Sequence, residues 1–205
     1  MYIDLTQTFT DSMPVYPGDE QSHLTHVNFF ESDKYNNYKI ISGMHVGTHI
    51  DGPMHLTNSP LFLSDINLDS FIGKGCLIDV AGQKKIRWDE SYNQIIQEGF
   101  IVLIYTGHSR HFGSPEYLKD YPDMDPAFAE KLIDLKVKMV GIDTLSPDFA
   151  PHEIHKMLLS NHILIAENLT NLEKLINIQS FEVIALPLKV KADSGPARII
   201  ARVLS

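Results

Sequence analysis

An alternation of two kinds of apolar segment after about residue 70 constrains the fold most strongly. Short runs rich in β-forming residues alternate there with stretches whose apolar residues have helical spacing, and this pattern is typical of an α/β domain. We predict strands at residues 76–80, 100–105, 138–143, 162–167, 181–190 and 197–204. We predict helices at residues 88–99, 125–136, 151–161 and 169–177.

The first seventy residues have a different character. They are rich in turn-forming residues, as in PVYPGD (14–19), ESDKYNNY (31–38) and DGP (51–53), so we expect hairpins and loops there. The sequence has no repeat, low-complexity tract or long linker. We therefore expect residues 1–205 to form a single domain.

The composition argues against several classes of function. Hydrophobic residues make up 43% and charged residues 21% of the 205 positions, as in ordinary globular proteins. A net charge of −9 without a basic run argues against nucleic-acid binding. The single cysteine excludes an intrachain disulfide. The N-terminal stretch lacks the pattern of a secretory signal. No apolar run approaches the ~20 residues that a helix needs to cross a bilayer. We expect a cytoplasmic protein that acts on a small molecule and binds neither nucleic acid nor membrane.

Residues 45–55, HVGTHIDGPMH, concentrate three histidines and one aspartate. Glycine, proline and β-branched residues disfavour a helix here. In an extended segment, alternate residues share a face, which would align His45, His49, Asp51 and His55. A straight strand would separate the Cα atoms of His45 and His49 by roughly 13 Å, but Gly47 between them can bend the chain. Imidazoles and a carboxylate on one face favour a shared metal ion.

Two further ligands can be sought at the carboxyl ends of the later strands, where α/β folds place their sites. Glu167 ends the apolar run ILIA, and His155 lies in the preceding predicted helix, where His152 competes with it. The turn GIDTLSPD (141–148) can bring Asp143, Ser146 or Asp148 to the same edge. Its composition is equally typical of a turn that only connects two elements.

The stretch HVGTHIDGPMH resembles the His-x-Gly-Thr-His-x-Asp-x-Pro-x-His motif of the cyclase-like metal-dependent hydrolases, which include bacterial kynurenine formamidases and isatin hydrolases. The similarity extends over nearly the whole chain. It includes PVYPGD, YTG (105–107), GIDTLSPD, ENLTNL (167–172) and ALPLKVKADSGPARIIA (185–201), in the expected order.

The resemblance implies a fold, a set of ligands and an assembly. The fold is an α/β domain with a mixed, barrel-like β-sheet flanked by helices, of the swivelling β/β/α type, usually in homodimers or homotetramers. Two divalent metal ions per chain are implied, with zinc expected ahead of manganese. One ion is held by His45, His49 and Asp51, while Asp51 and Glu167 bridge to a second ion that His155 helps to bind.

The resemblance also implies that His55 is an acid/base residue rather than a ligand, and that Tyr16 contacts the substrate. We expect an activated water to attack an amide carbonyl while His55 carries the proton to the departing nitrogen. This chain departs from the kynurenine formamidases at Tyr16, where they typically have Trp, and at His108, where many relatives carry Trp. The departures weaken the specific assignment to formylkynurenine but not the assignment to hydrolases.

Other classes use the same residues. His49-x-Asp51 with a distant histidine has the spacing of the non-haem iron oxygenase triad, which leaves His45 and Glu167 without a role. A metal-stabilised binding module without turnover is a second alternative. A serine or cysteine nucleophile is the weakest, because the chain lacks a Gly-x-Ser-x-Gly motif and Cys76 lies in an apolar strand. Arg198 is expected to form a structural ion pair.

Overall fold

The computed structural model describes residues 1–204. Within them the strands are β1 (Tyr2–Asp4), β2 (His23–Asn28), β3 (Asn37–Ile41), β4 (His49–Asp51), β5 (Ile72–Asp79), β6 (Lys85–Ile86), β7 (Ile101–Tyr105), β8 (Asp123–Met124), β9 (Met139–Ile142), β10 (Leu164–Glu167), β11 (Phe181–Pro187) and β12 (Ser194–Val203). The α-helices are α1 (Phe30–Asp33), α2 (Pro126–Asp134) and α3 (Glu153–Ser160). Short 3-10 turns cover Leu63–Asp65, Leu68–Ser70, Glu90–Gln94, His108–His111, Pro115–Leu118 and Leu172–Leu175.

Seven of these strands close into a barrel-like sheet. Their order is β12-β11-β5-β7-β9-β10-β4, and β4 pairs back with the first residues of β12, while β1 pairs with residues 200–202 of β12. The pairs along β5-β7-β9-β10 are parallel and the remaining pairs are antiparallel. The expected α/β fold with a mixed, barrel-like sheet and flanking helices is confirmed.

The central strands are nearly continuous apolar runs because both of their faces are covered. Leu103 and Met139 point into one buried cluster, which also receives residues from β4, β10, β11 and β12. Val102 and Ile165 point into a second cluster, which Phe128 of α2 joins together with residues of α3. The sheet is therefore packed on one face by its own interior and on the other by the helices.

The predicted strands after residue 70 are present, with shifted bounds. β5 begins at Ile72, before the predicted 76–80, β11 ends at Pro187, and β12 begins at Ser194. The helices predicted at 125–136 and 151–161 are α2 and α3. The side chain of Asp125 accepts a hydrogen bond from the backbone N–H of Ala127 and so caps α2.

The helices predicted at residues 88–99 and 169–177 are wrong, because only the 3-10 turns Glu90–Gln94 and Leu172–Leu175 form there. In the second segment, the N–H groups of Leu169 and Thr170 donate to the carbonyls of Ile142 and Leu5. In the first, Ser, Asn and paired isoleucines are poor helix formers, and Trp88 and Tyr92 pack on α2 without a full helix.

The first seventy residues form hairpins and loops, as predicted. β2 and β3 pair with each other but not with the closed sheet. Every residue of β3 is exposed, and large apolar side chains of this hairpin face solvent. No helix within residues 1–204 has both the length and the apolar character needed to cross a membrane.

Candidate metal centre

The segment predicted to carry the metal ligands is bent rather than fully extended. Only His49–Asp51 form strand β4, and Gly47 adopts a left-handed φ of 65°. This left-handed conformation favours glycine, because a side chain is strained there. The bend brings the ring centroids of His45 and His49 to 5.2 Å. The predicted bend at Gly47 is therefore confirmed.

Strand pairing places the carboxylates against the histidines. β4 lies between β10 and β12, and its antiparallel register on β10 sets Glu167 opposite His49. The His49 Nε2 atom lies 3.3 Å from Glu167 Oε2 and 3.4 Å from Asp51 Oδ1. Both carboxylates are almost completely buried. An acidic residue at the end of an apolar strand thus faces the cluster, as the sequence suggested for Glu167.

Helix α3 supplies the next histidine. His155 Nε2 lies 3.0 Å from Glu167 Oε1 and 3.7 Å from Asp51 Oδ2. Its Nδ1 atom lies 2.6 Å from Asp148 Oδ1. His152 Nδ1 contacts the same Asp148 oxygen at 3.1 Å and makes no ion pair with Asp51 or Glu167. The structure therefore brings His155, rather than His152, to the two central carboxylates.

The turn after β9 offered three candidates for this edge, and they separate clearly. Asp148 reaches His155, as described above. Asp143 instead accepts hydrogen bonds from the backbone N–H groups of Thr106 and Gly107 at 2.8 and 2.9 Å, and so fixes the loop after β7. Ser146 lines the cavity in front of the histidines.

Three buried atoms at the centre of this cluster have no hydrogen-bond partner within residues 1–204: His49 Nε2, Asp51 Oδ1 and Asp51 Oδ2. His45 Nδ1 lies 2.9 Å from Asp51 Oδ1, but this contact lacks hydrogen-bond geometry. An unsatisfied buried polar group costs about 1–3 kcal/mol. A divalent cation would satisfy all three atoms, and imidazole and carboxylate without thiolate are ligands that zinc and manganese accept. The residues present therefore fit a metal ion.

The outer contacts of the histidines orient them for metal binding. The Gly47 carbonyl accepts a hydrogen bond from His49 Nδ1 at 2.8 Å, which leaves Nε2 free. The Asp148 carboxylate fixes His155 Nδ1 in the same way. In His45 the two ring nitrogens have the opposite roles: Nε2 contacts Asp193 and Ser194, and Nδ1 faces Asp51. Metal-binding histidines commonly have such partners on the second ring nitrogen.

The electrostatics of the cluster separate His55 from the other three histidines. Burial acts to lower the pKa of His49, but the negative charges of the neighbouring Asp51 and Glu167 carboxylates outweigh burial and raise that pKa to about 10. The pKa values of His45 and His155 are also raised, against the effect of burial, by their carboxylate neighbours. Burial instead lowers the pKa of His55. His55 is therefore neutral at neutral pH, as a proton acceptor must be.

Sequence reasoning missed Asp193. Its Oδ2 atom lies 2.9 Å from His45 Nε2 and 3.1 Å from His55 Nδ1. The residue is 138 positions from His55, so no local spacing relates the two. The only signal was that Asp193 lies in the segment 185–201, which the family resemblance already included.

Within residues 1–204 the candidate ligand atoms fall into four groups of three, of which two share Asp51 and the other two are His45, His55 and Asp193, and Asp148, His152 and His155. His45, His49 and Asp51 can place one atom each within 4.8 Å of one another, and so can Asp51, His55 and His155. Asp51 is common to these two groups. The structure therefore brings all the predicted ligands and His55 together, whereas an iron triad would leave His45 and Glu167 without a role.

A cavity of about 210 Å³ opens in front of this cluster. His45, His55, His155 and Glu167 line its inner side, and Tyr16, Leu56, Leu145 and His152 are also in its wall. Tyr16 thus lies where a substrate contact was predicted, with its ring 5.9 Å from that of His152.

Two other residues lie away from this cavity. His108 stacks on Tyr117 and is not among the residues that line the cavity. Arg198 makes two contacts with the Asp4 carboxylate, at 3.0 and 2.7 Å, which is the structural ion pair expected from the sequence.

Comparisons with known proteins agree with this geometry. The Cyclase family model matches residues 3–149. The kynurenine formamidase of Geobacillus thermodenitrificans is 34% identical over 211 residues, which cover 98% of this chain and 97% of the relative. A solved structure described as a potential metal-dependent hydrolase with cyclase activity is 27% identical, with a TM-score of 0.81 over 100% of this chain and 98% of the other.

An isatin hydrolase bound to the product analogue thioisatinate has the same fold, with a TM-score of 0.88 at 20% identity over 98% of this chain and 91% of the other. The family match covers well over half of the chain, and the buried histidines and carboxylates form a cluster that fits a metal ion. The chain therefore belongs to the cyclase family of metal-dependent hydrolases.

Proposed function

We propose that this protein is a metal-dependent hydrolase that cleaves the amide bond of a small aryl formamide or cyclic amide. One observation carries the proposal: the unpartnered buried atoms of His49 and Asp51 lie behind a cavity that is also lined by His55. A purely structural cluster would leave these atoms unsatisfied without compensation. The kynurenine formamidase relative supports amide cleavage.

Two divalent ions per chain, with zinc as the first candidate, are part of the proposal. His45, His49 and Asp51 would hold one, and Asp51, Glu167 and His155 would hold the other. The support is that each oxygen of Asp51 faces a different set of histidines. A bound divalent ion lowers the pKa of water from 15.7 toward about 7 and polarises a carbonyl oxygen.

The remaining work falls to the chain's own side chains. His55 is neutral and lines the cavity, so it can take a proton from the attacking water and give it to the departing nitrogen. Leu56 and Leu145 line the cavity with apolar surface that excludes water from the substrate. Tyr16 would contact a flat ring of the substrate, and its smaller ring leaves more room than Trp does.

The test is a comparison of wild-type protein and His55→Ala on a panel of aryl formamides, cyclic amides and lactones. We expect wild-type turnover of an amide and a fall on the order of 10²–10⁴-fold in the variant, with metal content unchanged. His162→Ala, at an exposed position, is the matched control. Loss of metal from the His55 variant would make this residue a ligand. Binding of panel compounds without any turnover would favour a non-catalytic binding module.

We also propose that the chain forms a homodimer or homotetramer. The β2–β3 hairpin supports this, because it carries seven large apolar side chains with at least 42% exposure: Val27, Phe29, Phe30, Tyr35, Tyr38, Ile40 and Ile41. An isolated two-stranded hairpin is only marginally stable in water, so a second copy covering it would be stabilising. Light scattering on Phe30→Asp should show a smaller species than wild-type protein. An unchanged mass would remove the hairpin from the interface. The cytoplasmic location stays a prediction.

A further inference from the structure

The main chain around Asp193 is fixed against the segment that carries the histidines. Ser194 pairs with Asp51 across the β4–β12 junction that closes the sheet. The Gly52 N–H donates to the Asp193 carbonyl at 2.9 Å. A Cβ on residue 52 would lie 2.8 Å from that carbonyl oxygen, so this close approach requires glycine. The position of Asp193 is therefore set by barrel closure.

The Asp193 side chain bridges two histidines with different expected roles. One oxygen, Oδ2, contacts both His45 Nε2 and His55 Nδ1, and the two ring centroids are 4.0 Å apart. A carboxylate only accepts hydrogen bonds, so both nitrogens must donate. This leaves His45 Nδ1 to face Asp51 and leaves His55 Nε2 without a proton.

We propose that Asp193 is a positioning residue that sets the tautomer of His55. The inference rests on the proposed function, because only an acid/base histidine needs a free Nε2 lone pair for proton transfer. Which ring nitrogen carries the proton is determined by the partner of the other nitrogen. With Asp193 accepting from Nδ1, the Nε2 atom of His55 is the one that can take a proton from water.

The contacts also predict which histidine depends more on Asp193. The Ser194 hydroxyl lies 2.9 Å from His45 Nε2 and can replace the carboxylate as acceptor. Within residues 1–204, the His55 ring has Asp193 as its only hydrogen-bond partner. Removal of the Asp193 carboxylate should therefore release His55 while His45 stays oriented for metal. The substitution should therefore lower turnover and leave metal binding unchanged.

The experiment uses zinc-loaded protein with ¹⁵N-labelled histidine and compares the wild type with Asp193→Ala. Imidazole ¹⁵N–¹H spectra report the tautomer of each ring, with His55 assigned by its loss in His55→Ala. We expect the Nδ1–H form of His55 in the wild type and a shift to the Nε2–H form in Asp193→Ala. Zinc content should be unchanged, while kcat should fall on the order of 10²–10⁴-fold with little change in KM.

Control variants keep the result interpretable. Asp65→Ala, at an exposed carboxylate, should change none of the readouts, and Ser194→Ala should leave the His55 tautomer as it is. If Asp193→Ala fails to fold, Asp193→Asn keeps the shape of the side chain and one acceptor oxygen, and it should show a mixture of tautomers.

An unchanged His55 tautomer in both Asp193 variants would overturn the inference, and so would loss of zinc in parallel with loss of activity. If wild-type protein turns over no amide, the proposed function fails, but the tautomer and zinc readouts still decide the role of Asp193.

Discussion

Metal binding by this protein should release protons, and the number follows from the cluster. In the metal-free protein, His49 has a pKa of about 10 and His155 has a raised pKa, so both rings are protonated at pH 7. The pKa of His45 is raised as well, against the effect of burial, by the carboxylates of Asp51 and Asp193. Metal ligands must be neutral imidazoles. Loading the site at pH 7 should therefore release about two to three protons per chain.

The same count predicts a steep dependence of affinity on pH. Each released proton weakens the apparent affinity tenfold for every unit by which the pH falls, so two protons give about 100-fold per unit. The sign is fixed because protons and metal compete for the same nitrogens. His55 has a lowered pKa and contributes no proton at pH 7.

Isothermal titration calorimetry in buffers of different ionisation enthalpy measures the release directly. The observed binding enthalpy, plotted against the ionisation enthalpy of the buffer, has a slope equal to the number of protons. His155→Gln should lower that slope by about one, while His162→Gln, at an exposed residue, should leave it unchanged. A slope below about one for wild-type protein would refute the view that protons occupy this cluster in the absence of metal.

Three further outcomes are expected in stability measurements. The raised pKa of His49 contributes to the free energy of unfolding of the metal-free protein, fully so below pH 6.5, and this contribution should be lost as the pH rises through about 10. Chemical denaturation of the metal-free protein should show this loss, whereas chemical denaturation of the metal-loaded protein should not. Phe128→Ala removes a fully buried ring and should lower the free energy of unfolding by about 3–5 kcal/mol, whereas Phe149→Ala, with 44% exposure, should cost far less. Gly52→Ala should lower the melting temperature because its methyl group would press on the Asp193 carbonyl, and an unchanged melting curve would contradict that contact.

The parts of the fold that sequence predicted depend on local chemistry. The buried strands β7, β9 and β10 are readable because a strand covered on both faces is continuously apolar. The bend at Gly47 is readable because no other residue between His45 and His49 adopts a left-handed conformation without strain. Glu167 can be recognised from sequence because a carboxylate at the end of a buried strand needs a positively charged or hydrogen-bonding partner.

The parts that sequence missed depend on contacts between distant residues. Asp193 becomes a partner of His45 and His55 only when β12 pairs with β4 and closes the sheet. Asp148 was one of three open candidates in its turn, and only the packing of α3 selects it. The expected helix over residues 169–177 yields to backbone hydrogen bonds with residues 5 and 142, which no local propensity reveals.

The metal content of the purified protein tests the proposed centre most directly. Protein prepared without added metal or chelator is analysed by mass spectrometry beside Asp51→Ala, which removes the carboxylate shared by the two proposed ion sites. Asp65→Ala is the matched control. We predict about two divalent ions per chain in the wild type and the control, and a sharp fall in Asp51→Ala. Wild-type protein that holds no divalent ion, and takes up neither zinc nor manganese when either is supplied, would contradict the proposed centre.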